Sequence, residues 1–396
     1  MQAKPTPPGL NLFDSEFAAD PQPVFQELRR RCPVGRPAPE AGLVISRYED
    51  VLYALKHPEL FSSRMGAAPI GNKRPLIPLQ LDPPRQTRYR KLLDPLFSRR
   101  KMLELQPHVR DLVNQRIDTF IDRGECEFDR EFAVPLPSTV FLRLMGLPQE
   151  DLPRFLEMKD GIIRPQERDP ARAAEIREES GEQIYAYFEG FLEERSREPR
   201  DDLVSQLLEA SVEGERLSRE EILDISFLLL LGGLDTVTAT LGCSIAYLAR
   251  HPDRRQQVVG NPALLESAVE ELLRWETPVV QVPRVVAQDT TLAGTPLRAG
   301  DVVTLVLGSA DTDDAEFPDA QCVRLERERN RHLAFGGGPH RCLGSHLARM
   351  ELRTALAEWH RRIPDYAIRP GETPRYTPGI REVVYLPLVW ERGARR

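Results

Sequence analysis

The sequence is short of cysteine, of net positive charge and of long apolar runs, and each shortage closes off a class of protein. Its five cysteines (Cys32, Cys126, Cys243, Cys322 and Cys342) form an odd, scattered set. That argues against a secreted disulfide framework and for a reducing compartment. Lys and Arg number 54 against 61 Asp and Glu, a net charge of −7. Such mild acidity argues against whole-surface attraction to nucleic acid or anionic membrane. Phe227–Leu231, among the longest apolar runs, falls far short of a membrane span and is flanked by Asp224 and Asp235. Met1 to Leu12 hold several prolines and one lysine but no apolar signal core. Internal repeats, heptad arrays and domain-splitting linkers are absent too. The expectation is one large cytoplasmic unit over 1–396, with neither a nucleic-acid nor a membrane partner.

What is present suits a large core. Apolar residues make up 41% of the chain, enough at 396 residues to bury most of its surface. The 35 prolines are spread out and read as short, stiff loops. Helical patterns cover 20–31, 48–56, 85–97, 103–122, 135–145, 150–160, 170–197 and 201–212, with a short strand at 43–46. Residues 62–80 read as an irregular Gly/Pro-rich loop of the kind that serves binding. Ser218-Arg219-Glu220-Glu221 is a capping box that opens a helix running to Arg250, where Pro252 stops it. About 32 residues at 1.5 Å each span roughly 48 Å. A helix over 262–276 follows, then strand-like pieces around 279–307 with turns at Ala293-Gly294 and Ala299-Gly300. A loop over 308–342, a helix over 344–362 and a β-like tail at Val383–Leu386 complete a mainly α chain. The minor β portion gathers from about 20–60, 279–307 and 370–390.

Residues 335–344 read Phe-Gly-Gly-Gly-Pro-His-Arg-Cys-Leu-Gly, immediately before a helix. Glycines let backbone pass close to something flat or bulky. Cys342 sits at a helix N-terminus, where free N–H groups and the dipole favour a thiolate. A soft anion facing a glycine-walled gap is what an axial ligand to haem iron requires. A phosphate loop fails on spacing. Zinc at His340, Cys342 and His346 lacks a fourth ligand. A plain buried cysteine in a turn stays open for Cys342 taken alone. Gly232-Gly233 within the long helix each cost about 1 kcal/mol against alanine. Either close helix packing or the approach of a cofactor accounts for them. Asp235-Thr236 beside them reads as an acid–alcohol pair among apolar residues, or as a kink with Thr236 bonded to its own i−4 carbonyl.

Together these segments resemble the cytochrome P-450 family of haem-thiolate monooxygenases, whose haem loop reads Phe-Gly-x-Gly-x-His-x-Cys-x-Gly. Phe335, Gly336, Gly338, His340, Cys342 and Gly344 meet its fixed positions. The resemblance spans essentially the whole chain, is strongest toward the bacterial soluble, camphor-hydroxylase-type members, and implies their triangular-prism fold. It implies haem b on the Cys342 thiolate, with Gly232 beside the cofactor and Asp235 and Thr236 relaying protons during dioxygen activation. Gln86 and Arg90 in Asp82–Arg90, with Arg284 and His340, match the positions that hold the haem propionates. Val237 stands where many members have Thr or Ser.

Glu271 and Arg274 match the family's Glu-x-x-Arg brace. The arginine that normally completes it is replaced by Cys322-Val323, so either Arg324 substitutes or the brace has two members. Leu228, Leu231, Val279, Val280, Val282 and Ile380 match the distal pocket wall, an aliphatic lining that suits a terpenoid, fatty acid or steroid. Arg381 reads either as a carboxylate anchor or as an ion-paired arginine. The window 85–101 holds Arg85, Arg88, Arg90, Lys91, Arg99, Arg100 and Lys101 against one acid, Asp94. With Arg341 and Arg349 it would steer an acidic electron donor to the cysteine side. The chain has no room for a fused flavin or iron–sulfur domain, so a ferredoxin (or flavodoxin) with its NAD(P)H reductase is the expected partner, with O2 as co-substrate. Two other classes compete: a peroxide-driven or non-redox haem-thiolate enzyme, and a non-catalytic haem-based ligand binder.

Overall fold

Helix limits follow local signals closely. The computed structural model describes residues 15–37, 41–66, 70–165, 167 and 169–392; Met1–Leu12 lies outside them. Tyr48–Lys56, Pro135–Met145 and Pro170–Arg197 are helices with the limits their patterns predict. Asp169 caps the last of these, its side chain accepting from Ala171 N at 3.0 Å. Proline explains three differences from the sequence reading. The segment 103–122 divides into Arg99–Glu104 and Gln106–Asp118, the second begun by Pro107. Pro252 ends one helix and starts another, Pro252–Gly260. Proline is tolerated in a first helical turn because its missing N–H has no intrahelical partner there. Pro262 likewise begins a short 3-10 turn ahead of the helix Leu265–Glu276. The stretch read as a loop from 308 also begins inside a short helix, Leu307–Asp311.

The long helix is capped as expected. Ser218 Oγ accepts from Glu221 N at 3.2 Å, and Glu221 accepts from Ser218 N at 2.7 Å. It runs Arg219–Leu234, breaks at Asp235 (φ −105°, ψ −35°) and resumes over Thr236–Arg250. By length and composition this stretch could cross a membrane, but 67% of its most apolar window is buried inside the protein.

The β portion joins segments far apart in the chain. A five-stranded sheet runs in the order 34–35, 43–45, 302–305, 282–286, 61–62. Leu43–Ile45 pairs in parallel with Val303–Leu305, and Val302–Leu305 pairs antiparallel with Val282–Val285. This places Arg284 on an inner strand. A smaller sheet brings Glu125–Glu127 beside Pro387–Val389, and Arg375–Thr377 forms a hairpin with Glu382–Tyr385.

Two large apolar clusters meet along the long helix. Ile222, Phe227, Leu230 and Leu234 belong to one, with Phe141, Phe155 and Phe188. Val237, Leu241, Ile245 and Leu248 belong to the other, with Phe128, Phe132 and Trp359. The change of cluster falls at Asp235. Residues 70–80 are irregular, as their composition predicts, yet firmly attached. Arg74 Nε donates to Asp224 Oδ2 at 3.0 Å, Tyr185 Oη donates to Asp224 Oδ1 at 2.9 Å, and Leu76 and Ile77 are buried.

Candidate active site

The glycine–cysteine loop is shaped by its backbone. Gly336 (φ +65°) and Gly338 (φ +62°) occupy the left-handed region that favours glycine. A Cβ on Gly338 would stand 2.1 Å from the carbonyl oxygen of Leu55, so that glycine serves packing on the helix Tyr48–Lys56. A Cβ on Gly344 would meet no atom within 4 Å, and one on Gly336 would meet only the His340 carbonyl oxygen, at 3.9 Å. Those two face open space. Cys342 N donates to Phe335 O at 2.8 Å, closing the loop. Arg349 lies over the Phe335 ring, 4.3 Å from its centroid, and is itself paired with Glu270 at 2.7 Å.

Cys342 is accessible, yet protein crowds its sulfur on the other sides. Burial pushes the thiol up, while the Gly344 N–H and Arg90, Arg341 and Arg349 pull it down without prevailing. The helix N-terminus favours the thiolate, as the sequence reading has it, but burial outweighs that effect. Coordination by a metal ion deprotonates a ligating thiol outright.

Two buried donors stand beside the loop. His340 Nε2 is buried without a hydrogen-bond partner. Burial, then Arg284, depresses its imidazole to about 4. Arg284 is 7% exposed, and burial lowers its guanidinium to about 10. It donates to Pro283 O at 2.7 Å, and among the described residues no carboxylate lies within ion-pair distance of it. A buried cation and an orphaned imidazole are costly unless an anion meets them, so both fit the propionates of a haem. Gln86 and Arg90 are placed differently from the expectation. Gln86 Nε2 donates to Pro339 O at 2.6 Å. Arg90 donates to Arg341 O at 2.7 Å and pairs with Asp94 at 2.8 Å. Both donors hold the loop itself.

The two glycines of the long helix divide the explanations between them. A Cβ on Gly233 would stand 2.3 Å from the Phe141 ring, whereas one on Gly232 would meet nothing within 4 Å. Gly233 serves packing, and Gly232 is exposed toward open space. Thr236 Oγ1 donates to Gly232 O at 3.2 Å, the i−4 bond expected of a kink. Leu343 and Leu347, just after the cysteine, pack with the cluster containing Leu230 and Leu234. That tie joins the loop to the helix break.

Asp235 does not lie among apolar residues. It is 2% exposed and held by two cations: Lys159 Nζ donates to Oδ1 at 2.6 Å and Arg164 Nη2 to Oδ2 at 2.9 Å. Lys159 also lies 2.8 Å from Asp160, and Arg164 Nη2 also donates to Glu382. Sequence reading missed Lys159, Arg164 and Glu382. A lysine and an arginine five residues apart at a helix end were the available signal, without any sign of their target.

The brace is a different correction. Glu271 and Arg274 are fully buried and joined by bonds of 2.7 and 2.8 Å. Arg324 contributes only its backbone N–H to Glu271, at 2.8 Å, and its side chain pairs with Asp319 at the surface. The third arginine is Arg327, 7% exposed, which donates from Nε to Glu271 Oε2 at 2.9 Å. Burial would raise the Glu271 carboxyl, but Arg274, Arg327 and that N–H hold it below its ordinary value. Cys322 takes part only through its carbonyl, accepting from Arg274 Nη2 at 3.1 Å.

Of the expected pocket wall, Leu228, Leu231, Val279, Val282 and Ile380 are half-buried, and Val279 bridges to Ile380. Val280 is not wall: it is 3% exposed, in a cluster with Phe25, Val44 and Val306. Arg381 is no anchor. It is buried against Glu276 and donates from Nε to Ala18 O at 2.7 Å.

A family model described as Cytochrome P450 matches residues 141–362. The chain is 35% identical over 381 residues to mycinamicin IV hydroxylase/epoxidase of Micromonospora griseorubida, covering 92% of this chain and 94% of that protein. It is 35% identical over 370 residues to the steroid C26-monooxygenase of Mycolicibacterium smegmatis, covering 91% and 90%. Among solved structures, CYP109E1 from Bacillus megaterium in complex with testosterone superposes with a TM-score of 0.89. That match is at 28% identity over 96% of this chain and 100% of the other.

Proposed function

Because the chain belongs to the cytochrome P450 family and is thus a haem-thiolate monooxygenase, we propose that it hydroxylates an apolar molecule of steroid or macrolide size. Bound there, a haem would supply dioxygen activation at an iron held by a thiolate ligand. In this reading Cys342 is that ligand, Arg284 and His340 receive the propionates, and Gln86 and Arg90 set the loop. Thr236 and Asp235 hold and pass protons where Gly232 leaves room. The half-buried Leu228, Leu231, Val279, Val282 and Ile380 form an aliphatic wall that holds substrate by apolar contact.

The observation that carries the reading is an accessible Cys342 among glycines that face open space, beside two buried donors, Arg284 and His340, on which the Asp82 carboxylate acts only at a distance. The size of the substrate is inferred from the relatives' substrates and from testosterone in the structural neighbour. Electrons would come from a separate acidic ferredoxin docking near the loop. There Arg85, Lys91, Arg99, Lys101 and Arg341 are exposed, although Arg88 and Arg90 are paired with acids of this chain. We place the protein in the cytoplasm, where such a partner is reduced.

The reduced, carbon-monoxide-bound absorption spectrum tests the ligand. A strongly red-shifted Soret band is expected from the purified protein and is lost in Cys342→Ala. Titration with steroid, macrolide and fatty-acid panels then tests the substrate class by spin-state shift. No shift with any apolar ligand would overturn that part of the reading.

A further inference from the structure

The carboxylate of Asp235 does not meet its two cations alone. Arg164 Nη2 is shared: one contact goes to Asp235 Oδ2, the other to Glu382 Oε2. Glu382 is 2% exposed, and among the described residues no other hydrogen bond of its carboxylate is recorded. Behind it sits Asp129, 9% exposed, with Oδ1 buried and unpartnered. Apart from Asp235, none of these residues belongs to the motifs that locate the active site.

An ionised carboxylate held by both Lys159 and Arg164 is strongly stabilised, since charge-assisted bonds are about twice as strong as neutral ones. That stabilisation opposes any turn toward Thr236. A second carboxylate drawing on the same guanidinium nitrogen weakens one arm of the clamp. We infer that Glu382 is a positioning residue for proton delivery: by sharing Arg164, it keeps Asp235 releasable toward Thr236. This rests on the proton-passing role given to Asp235 above.

Neutralising Glu382 withdraws its share of the Arg164 Nη2 arm, leaves that arm to Asp235 and tightens the clamp. Burial first, then the Asp235 charge, lifts the Glu382 carboxyl to about 7 despite Arg164, so this exchange falls near neutral pH. Other groups face the same space. Lys159, Asp160 and Arg164 come from the end of the helix Leu152–Ile163 and the residue after it, and Asp235 and Cys243 from the long helix. Glu127 and Asp129 come from the segment before Pro135, Tyr376 from the paired strand, and Arg381 with Glu276 from the flank. Asp129 also titrates in the window, lifted to about 8 by burial, Glu382 and Glu127. Its effect has to be removed separately.

The test compares wild type, Glu382→Gln, Glu382→Asp, Asp129→Asn and Asp235→Asn as holoenzymes. Product formed per electron consumed is followed from pH 6 to 9, after a binding screen has identified a substrate. Wild-type coupling is expected to rise with pH through the neutral range. In Glu382→Gln it is expected to stay flat at the wild-type acidic level. That is about tenfold below wild type at high pH, less than the roughly 100-fold that losing a positioned proton donor costs. Glu382→Asp should restore the slope, and Asp129→Asn should keep it.

Infrared titration of the substrate-free holoenzyme is the second readout. Of the carboxylic C=O bands that disappear near neutral pH in wild type, one should be lost in Glu382→Gln and kept in Asp129→Asn. A wild-type pH profile in Glu382→Gln, with Asp235→Asn uncoupled, overturns the role of Glu382 alone. Unchanged coupling in Asp235→Asn overturns the proton-passing reading and this inference with it. A set of infrared bands left unchanged by Glu382→Gln also overturns the inference.

Discussion

One methyl group distinguishes the jobs of Gly232 and Gly233. Gly233→Ala drives a carbon into the Phe141 ring and is expected to cost about 1–3 kcal/mol, the range for overpacking a filled core; thermal unfolding would read it as a clear drop in Tm. Gly232→Ala meets open space and should stabilise the helix by up to about 1 kcal/mol. The same change should weaken haem retention or substrate affinity, measurable by haem occupancy and spin-state titration. Thr236→Ala tests the neighbouring hydroxyl: oxygen consumption should continue while product per electron falls and peroxide rises. Unchanged coupling would remove Thr236 from proton handling. At this scale much was legible, because a helix glycine and an acid–alcohol pair are conspicuous in one dimension. What was illegible is partnership. Nothing near Asp235 in the sequence announces that Lys159, 76 residues upstream, donates to it, or that Glu382 lies 218 residues from Arg164 and shares it.

Elements were legible where their ends carry their own chemistry. The capping box at Ser218, the aspartate before Pro170 and the left-handed Gly146 each terminate a helix at the expected residue. Where proline occurs inside an apolar period the outcome was ambiguous, and at Pro107 and Pro252 it begins a helix. The loop after Leu325 was harder still, since it has no regular period and its partners are set by a distant buried glutamate. Hence Arg324, nearer the expected place, faces solvent, while Arg327 reaches Glu271. The pair makes a clean contrast. Arg327→Ala leaves the buried Glu271 short of a cation and is expected to cost about 3–5 kcal/mol and lower haem incorporation. Arg324→Ala removes an exposed pair and should change stability by less than about 1 kcal/mol. Denaturant unfolding of both variants separates them, and equal effects would mean that the brace is not centred on Glu271.

For the whole molecule, mainly α with a minor sheet, the fold was legible and its charge economy was not. Burial places Asp129 in an enclosed site and raises its carboxyl from 3.8 to about 8. The folded protein therefore holds a proton there that the unfolded chain releases near its ordinary value. The stability that this proton represents is complete below about pH 4 and is lost as pH rises through about 8. Asp129→Asn, neutral at every pH, should flatten that part of the fall in Tm between pH 5 and 8. An identical pH slope in the variant would show that the Asp129 carboxyl is ionised in the folded state.

The break at Asp235 also coincides with the boundary between the two large apolar clusters. The halves of the long helix are thus continuous in chain but belong to different cooperative units. Amide hydrogens are released to solvent unit by unit, at rates set by the stability of the core each unit belongs to. Exchange along this helix should fall into two blocks, 219–234 and 236–250, each with its own protection. A bound cofactor or substrate touching both sides of the break should draw those two levels of protection together.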